Sequence, residues 1–204
     1  MQTGPGHAVL GKGFGDPVLD AQRCFRLILA AMSEPGAIHR LEPSIEAPDG
    51  IEPAAARVLL TLADNEAAVW ISPELSGAAA PYVRFHCGAP VAETPLAARF
   101  AVMPGSSAMP GLAAFDPGCD RYPDRSATLI VQCRALQGGV EVVLAGPGIQ
   151  GVRSIAPLGL HAGFWREAAA NHSRYPLGVD LILVAGDELL CIPRSTRIDL
   201  VEAR

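Results

Sequence analysis

The fold of this chain is decided near its end, by the stretch Val179-Asp180-Leu181-Ile182-Leu183-Val184-Ala185-Gly186-Asp187-Glu188-Leu189-Leu190-Cys191-Ile192. Two apolar runs of strand length are joined here by a short polar turn, which is typical of a β-hairpin. The connection Ala185-Gly186-Asp187-Glu188 is too short for a crossover helix, so the two strands must be antiparallel. The sequence therefore predicts a mixed β-sheet.

Apolar residues at helical spacing elsewhere in the chain predict the helices that pack on this sheet. Asp16 and Pro17 form a favourable N-cap and first-turn pair, and apolar residues then recur at helical spacing until Pro35-Gly36. The predicted helices are 17–32, 53–64 and 160–171, and the predicted strands are 67–71, 82–87, 100–103, 127–134, 140–145, 152–155, 179–184, 189–192 and 197–201. This pattern predicts an α/β fold, with helices packed on a mixed sheet.

The chain has the length of one domain. Its 204 residues can bury one sizeable core, and no Ser-rich or charged linker divides them, so we expect a single domain over 1–204. Segment 104–123 holds four prolines and three glycines and is predicted to be irregular. A loop of this length is either disordered or an arm held against something else.

The composition is apolar for a soluble protein. Hydrophobic residues make up 50% of the chain and charged residues 18%, against about 25% charged in an average domain. This indicates surface that a partner covers, with an unusually apolar monomer as the alternative.

The net charge of −5, without a basic stripe, argues against nucleic acid as a binding partner. No signal-peptide core and no apolar run of about 20 residues is evident, so we expect a cytoplasmic protein without a membrane span.

Five cysteines are scattered along the chain without any Cys-x-x-Cys pair: Cys24, Cys87, Cys119, Cys133 and Cys191. They are expected to be reduced and mostly buried, and no metal site is predicted.

Two basic side chains in the predicted strand 82–87 form the first candidate site. Alternation in a strand would place Arg84 and His86 together on one face, where they could bind an anion, and would keep His86 apart from Cys87. The alternative is an exposed face, or one paired with a partner.

A carboxylate inside an apolar strand forms the second candidate. Asp180 needs a hydrogen-bond donor, and Arg194 just beyond the neighbouring strand is the natural one. A structural Asp180–Arg194 pair is the first interpretation. The second is that Arg194, Ser195 and Thr196 donate hydrogen bonds to a phosphate or phosphonate. The catalytic residues, if any, are not identified by these patterns.

The segment Gly146-Pro147-Gly148-Ile149-Gln150-Gly151 has the spacing of a dinucleotide-binding fingerprint. That motif must open into a helix, whereas the next residues are β-branched and end in Pro157. A tight turn between strands is therefore the preferred interpretation.

Several short motifs together resemble one family: Gly13-Phe14, Asp16-Pro17-Val18, Gln22 with Phe25-Arg26, Ala145-Gly146-Pro147-Gly148-Ile149, Tyr175-Pro176-Leu177-Gly178-Val179-Asp180 and Pro193-Arg194-Ser195-Thr196. Their order and spacing resemble the H subunit of the bacterial carbon-phosphorus lyase system, the PhnH family of phosphonate catabolism. The likeness spans almost the whole chain.

The resemblance implies a three-layer α/β fold, a mixed β-sheet flanked by helices, similar to the large domain of pyridoxal-phosphate-dependent transferases. It also implies an accessory subunit, working with the G, I and J subunits in forming ribose 1-phosphonate 5-triphosphate from ATP and an alkylphosphonate. A homodimer is expected for the isolated chain. The alternative is a self-sufficient enzyme or binding protein that holds a phosphonate or nucleotide phosphate with Arg84, His86 and Arg194.

No cofactor is expected. A pyridoxal-phosphate aldimine needs a lysine amine in a pocket, and Lys12, the only lysine of the chain, lies in a Gly-rich segment before the first helix.

Overall fold

The computed structural model describes residues 11–42, 45–106 and 110–201. These residues form an α/β structure with a six-stranded mixed sheet, a separate three-stranded sheet and four α-helices. The helices are α1 (Pro17–Ser33), α2 (Pro53–Leu62), α3 (Ser76–Cys87) and α4 (Phe164–His172). The strands are β1 (His39–Arg40), β2 (Val69–Ile71), β3 (Phe100–Pro104), β4 (Thr128–Gln132), β5 (Val142–Ala145), β6 (Arg153–Ile155), β7 (Asp180–Ala185), β8 (Glu188–Ile192) and β9 (Arg197–Leu200).

The mixed character of the large sheet is confirmed. Its strand order is β1-β8-β7-β4-β3-β2, and β2, β3, β4 and β7 are parallel to one another. The hairpin β7–β8 is antiparallel, with Leu183 opposite Leu190. Its turn contains Gly186, which has a positive φ of 56°. The α/β class predicted from the sequence is therefore confirmed.

The predicted strand 82–87 is wrong, because these residues form the second half of α3. The buried residues of this helix include Ala79, Tyr82 and Val83, whose spacing of three and one places them on one side of a helix. Gly88 ends the helix in the left-handed conformation, with a φ of 66°. The alternation of apolar and polar residues over 82–87 favoured a strand. The apolar pattern over the whole of Ser76–Cys87, together with Gly88 at its end, favours a helix.

The turn interpretation of segment 146–151 agrees with the structure. Gly146 and Gly148 have positive φ and lie between the antiparallel strands β5 and β6. A strand, and not a helix, follows the glycines. Strands β6, β5 and β9 form the small sheet in that order, which the sequence did not indicate as a separate sheet.

Apolar clusters cover both faces of the large sheet. Side chains such as Leu129 and Leu181 point to the face that carries α4, the small sheet and loop 104–123. Side chains such as Ile130 and Ile182 point to the face that carries α1, α2 and α3. Alternate residues of the central strands therefore belong to different clusters, as the pleat of a β-strand requires.

Loop 104–123 packs against the chain's own core in its described part. Leu112 and Phe115 are buried, and the Phe115 ring meets the edge of Trp70 at a centroid distance of 5.7 Å. The backbone N–H of Leu112 donates to Glu167 Oε2 on α4 at 2.9 Å. In its described part the loop is therefore neither a disordered segment nor an arm held against something else, because it contributes to this chain's own core. Residues 107–109 lie outside the described part.

Replacing Phe115 with Ala should destabilise the fold by about 3–5 kcal/mol, because the change leaves a cavity in the core. Leu96 is 63% exposed and serves as a control, and Leu96→Ala should cost less than about 0.5 kcal/mol. Urea unfolding measures both changes. A loss below about 1 kcal/mol for Phe115→Ala would contradict a structural role for this loop.

Candidate functional site

The ion pair expected between Asp180 and Arg194 is present at the start of β7. Arg194 Nη2 lies 2.5 Å from Asp180 Oδ2, and Arg194 Nε donates to Asp180 Oδ1 at 3.1 Å. The backbone N–H of Arg194 donates to the same Oδ1 at 2.8 Å. The two side chains are only 15% and 17% exposed. This is a bidentate, partly desolvated pair, the geometry that Arg and carboxylates favour.

One backbone carbonyl and one histidine complete the hydrogen bonds of Arg194. Its Nη1 donates to the carbonyl of Pro123, and His172 Nδ1 on α4 donates to the Arg194 carbonyl at 3.0 Å. The guanidinium thus joins β7 to the loop before β4. In the described structure its donors already have protein acceptors, so the pair stabilises the fold at this end of the sheet.

Two hydroxyls are buried near this end of the large sheet. Thr196 Oγ1 follows Arg194 by two residues, and Ser126 Oγ precedes β4. Neither oxygen has a hydrogen-bond partner within the described structure. Ser126 is connected to Arg194 through Pro123, whose carbonyl accepts from the Ser126 N–H at 3.4 Å and from the Arg194 side chain.

Arg84 and His86 lie in α3, and not in a strand. Arg84 is exposed. His86 is half-buried, its Nε2 donates to the Gly11 carbonyl at 2.9 Å, and its ring packs on Tyr82 with centroids 4.5 Å apart. His86 therefore holds the segment that leads into α1, which is a structural role.

Arg84, His86 and Arg194, which the alternative function places around one anion, do not bound one pocket. Helix α3 packs over β2 at an edge of the large sheet, whereas Asp180, the partner of Arg194, begins β7. Strands β3 and β4 lie between β2 and β7. The single pocket failed as a prediction because it rested on a strand at 82–87. Anion binding by Arg84, His86, Arg194 or Thr196 individually stays a prediction.

A second ion pair escaped the sequence analysis. Arg57 on α2 is 1% exposed, and its Nη1 donates to Asp187 Oδ1 in the β7–β8 turn at 2.8 Å. Arg40 Nη2 reaches the other oxygen of Asp187 at 3.2 Å. The available signal was an arginine inside the apolar run of a helix, because such a charge requires a partner when it is buried.

A cavity of about 280 Å³ lies beside the start of α4, next to the small sheet. Most of its lining is apolar, and His161 and Arg166 are its basic members. Gly163 N–H donates to His161 Nδ1 at 3.2 Å, and His161 Nε2 lies 3.8 Å from Glu167 Oε1. Glu167 in turn accepts from Leu112, so this carboxylate connects the cavity wall to loop 104–123.

The thiols are unsuited to nucleophilic chemistry where they are buried. Burial raises the pKa of Cys87 to about 11 and that of Cys133 to about 12. Burial also raises the pKa of Cys24 and of Cys191. These thiols stay protonated at neutral pH, and Cys119 is the exposed one. Within the described ranges, no group of three or more His, Cys, Asp or Glu residues is placed to hold a metal ion.

Lys12 is exposed, and its carbonyl accepts from the Glu46 N–H at 3.3 Å. A lysine on the surface does not fit the buried amine that a pyridoxal-phosphate aldimine needs.

Among the described helices, none is long and apolar enough to cross a membrane.

Asp180→Ala should destabilise the fold by on the order of 3 kcal/mol, because it leaves a largely buried guanidinium without its carboxylate. Asp199, which is 53% exposed and pairs with Arg197, provides the matched control. Asp199→Ala should cost less than about 1 kcal/mol. Equal losses in chemical unfolding would show that the Asp180–Arg194 pair contributes no more than a surface pair.

Cys119 should be the thiol that reacts fast with a disulfide reagent at about pH 8, because the other four are shielded and have raised pKa values. Absorbance of the released thiolate should report one fast equivalent in the folded chain and all five after denaturation. Cys119→Ser should remove the fast phase. A fast phase that survives this substitution would contradict the assignment.

Comparison with known proteins gives consistent matches. The family model described as "Bacterial phosphonate metabolism protein (PhnH)" matches residues 12–199. Over 187 residues the chain is 42% identical to the Alpha-D-ribose 1-methylphosphonate 5-triphosphate synthase subunit PhnH of Rhizobium meliloti (strain 1021), covering 91% of this chain and 94% of that protein. It is 32% identical over 182 residues to the "Putative C-P lyase subunit protein HtxG" of Stutzerimonas stutzeri, covering 88% and 86%. The resemblance noted in the sequence is thus confirmed, and the chain belongs to the PhnH family of bacterial phosphonate metabolism proteins.

Proposed function

We propose that this chain is a subunit of a carbon-phosphorus lyase core complex, required for forming ribose 1-phosphonate 5-triphosphate from ATP and an alkylphosphonate. The observation that carries the proposal is the 42% identity, over nearly the full length of both chains, to a protein named as a subunit of that synthase. The relative named as a C-P lyase subunit supports the same system.

The proposed partners are the G, I and J subunits of the core complex, and a second copy of this chain when it is isolated. The low charged fraction of 18% supports a protein that covers part of its surface in an assembly. We infer that it works as a single domain in the cytoplasm.

An accessory role is favoured over a self-sufficient enzyme. The best-formed polar cluster, Asp180 with Arg194, is occupied by its own hydrogen bonds. Four of the five thiols are held in the protonated state by burial. The described polar groups therefore mainly maintain the fold, and we infer that this chain contributes surfaces to the complex, with no cofactor of its own.

Anion recognition remains part of the proposal at Arg84. This side chain is exposed on α3 and is free to meet a phosphonate, a nucleotide phosphate or an acidic residue of a partner. Arg194 and Thr196 are enclosed by the fold, and anion binding at either position stays a prediction beside the structural role of the Asp180–Arg194 pair.

A strain that lacks this chain should not grow on methylphosphonate as the sole phosphorus source, and should grow normally on phosphate. Co-expression with the G, I and J subunits should give one particle that contains all four chains after affinity purification through the G subunit. Normal growth on methylphosphonate would refute the proposal.

The self-sufficient alternative has a direct assay. The purified chain, mixed with ATP and methylphosphonate, should release no adenine by itself under the accessory role. Adenine release by this chain alone would favour the alternative, in which it binds and converts the nucleotide without partners.

A further inference from the structure

The cavity beside the start of α4 combines apolar walls with basic side chains. Its volume of about 280 Å³ is that of about nine water molecules. Apolar side chains form most of the lining, such as Val140, Leu158, Trp165, Leu200 and Val201. Among the described residues, none that lines this cavity is acidic, and its ionisable members are His161 and Arg166. The cavity therefore suits a ligand that has a hydrocarbon part and a negative charge.

Other clefts on the described surface lack this charge pattern. Glu141 lines the cleft beside β6, and Glu66 and Asp124 line the cleft next to the segment that leads into β3. Glu167 lines the cleft between α4 and loop 104–123. A carboxylate in a cleft repels an anion. Of these clefts, the cavity with His161 is therefore the one that favours an acidic ligand.

His161 offers a hydrogen-bond donor to this cavity. The N–H of Gly163 donates to His161 Nδ1 at 3.2 Å, so the neutral ring carries its proton on Nε2. This Nε2 is buried and has no hydrogen-bond partner within the described structure. Its distance of 3.8 Å from Glu167 Oε1 is too long for a hydrogen bond. Since a buried donor without an acceptor costs free energy, an oxygen of a bound ligand would stabilise this arrangement.

Arg166, in the first turn of α4, supplies a positive charge. It lines the cavity, is exposed, and forms no ion pair with the described part of the chain. A guanidinium without an internal carboxylate can form a bidentate pair with a carboxylate or a phosphonate. Together, Arg166 and the Nε2–H of His161 present donors and no acceptor, which selects for an oxyanion.

Three of the apolar lining residues are also open to solvent. The exposed fractions are 68% for Val140, 48% for Leu200 and 48% for Val201. Trp165 is 6% exposed and belongs to the inner wall. A hydrocarbon group that packs on these side chains removes their apolar surface from water, which stabilises the bound state.

We propose that this cavity binds a small organic oxyanion, a carboxylate or a phosphonate, with a hydrocarbon group of about six carbons. The charged head group binds Arg166 and the Nε2–H of His161, and the hydrocarbon packs against Val140, Trp165 and Leu200. The site gives this chain a ligand of its own and goes beyond the proposed role as a subunit. Carboxylates and phosphonates share the chemistry that the cavity recognises, and the experiment distinguishes them.

Two-dimensional nuclear magnetic resonance of the isotope-labelled chain measures binding of four probes. Hexylphosphonate and octanoate carry both parts of the ligand, methylphosphonate lacks the long hydrocarbon, and hexanol lacks the charge. We expect dissociation constants on the order of 0.1–1 mM for the two acids, and binding at least about tenfold weaker for the other two probes. The indole N–H of Trp165 and the amide of Ala162 should shift, whereas the indole of Trp70, which packs on Phe115, should not.

Substitutions of opposite charge at one exposed position test the electrostatic part. Val140→Glu should weaken binding of both acids at least about tenfold, and Val140→Lys should strengthen it about threefold, because the new side chain repels or attracts the head group. Arg166→Gln should weaken binding about tenfold, because it removes the ion pair. The matched controls are Val152→Glu, at a position that is 64% exposed, and Arg174→Gln. Both lie outside this cavity and should leave binding unchanged.

Tighter binding of hexylphosphonate would identify a phosphonate as the preferred head group, and tighter binding of octanoate a carboxylate, and both results support the site. Absence of binding by both acids up to about 10 mM would overturn the proposal. So would acids that bind no better than hexanol, or binding that is the same in the Val140→Glu and Val140→Lys variants. Circular dichroism checks that each variant is folded. Growth on methylphosphonate remains a separate test, so failure of this site is distinguishable from failure of the proposed function.

Discussion

Burial of both faces of the central strands is the constraint on which this structure depends. Strands β4 and β7 lie in the middle of the large sheet, and each contributes side chains to both apolar clusters. Neither face can be left to solvent, so the chain must supply two covering layers. Helices α1, α2 and α3 cover one face, and α4, the small sheet and loop 104–123 cover the other. The need to cover the second face explains why a Pro-rich and Gly-rich loop is held on the core.

Carboxylates lie at the two ends of β7, next to the apolar core, and each forms an ion pair with arginine. Asp180 at the beginning of the strand binds Arg194, and Asp187 in the turn after it binds Arg57 and Arg40. A carboxylate at such a position loses hydration, and a guanidinium replaces the lost hydrogen bonds. The two clusters therefore fix both ends of the hairpin to the surrounding layers. The buried and partly buried charged residues at the two ends of β7 thus stabilise the fold.

The surface of the chain exposes more large apolar side chains than the surface of a typical monomeric domain does. The exposed side of α1 carries large apolar residues, and Phe85 extends this character onto α3. Such surface fits membership of a family whose relatives are named as subunits. This contrast between an interior with paired charges and an exterior with uncovered apolar residues supports the proposed role, in which the visible surface serves recognition between chains.

The sequence by itself determined the hairpin β7–β8, the helices α1, α2 and α4 to within a few residues, the Asp180–Arg194 pair and the family. Each of these rests on local periodicity, on a loop too short for another connection or on a short motif. Tertiary structure decided that residues 82–87 are helical, that Phe115 is a core residue, and that Arg84 and Arg194 lie apart. Apolar alternation over six residues fits both a strand and one side of a helix, and only the layer on which the segment packs distinguishes them. Which distant residues meet depends on strand order, and strand order is set by how two apolar faces are covered at once.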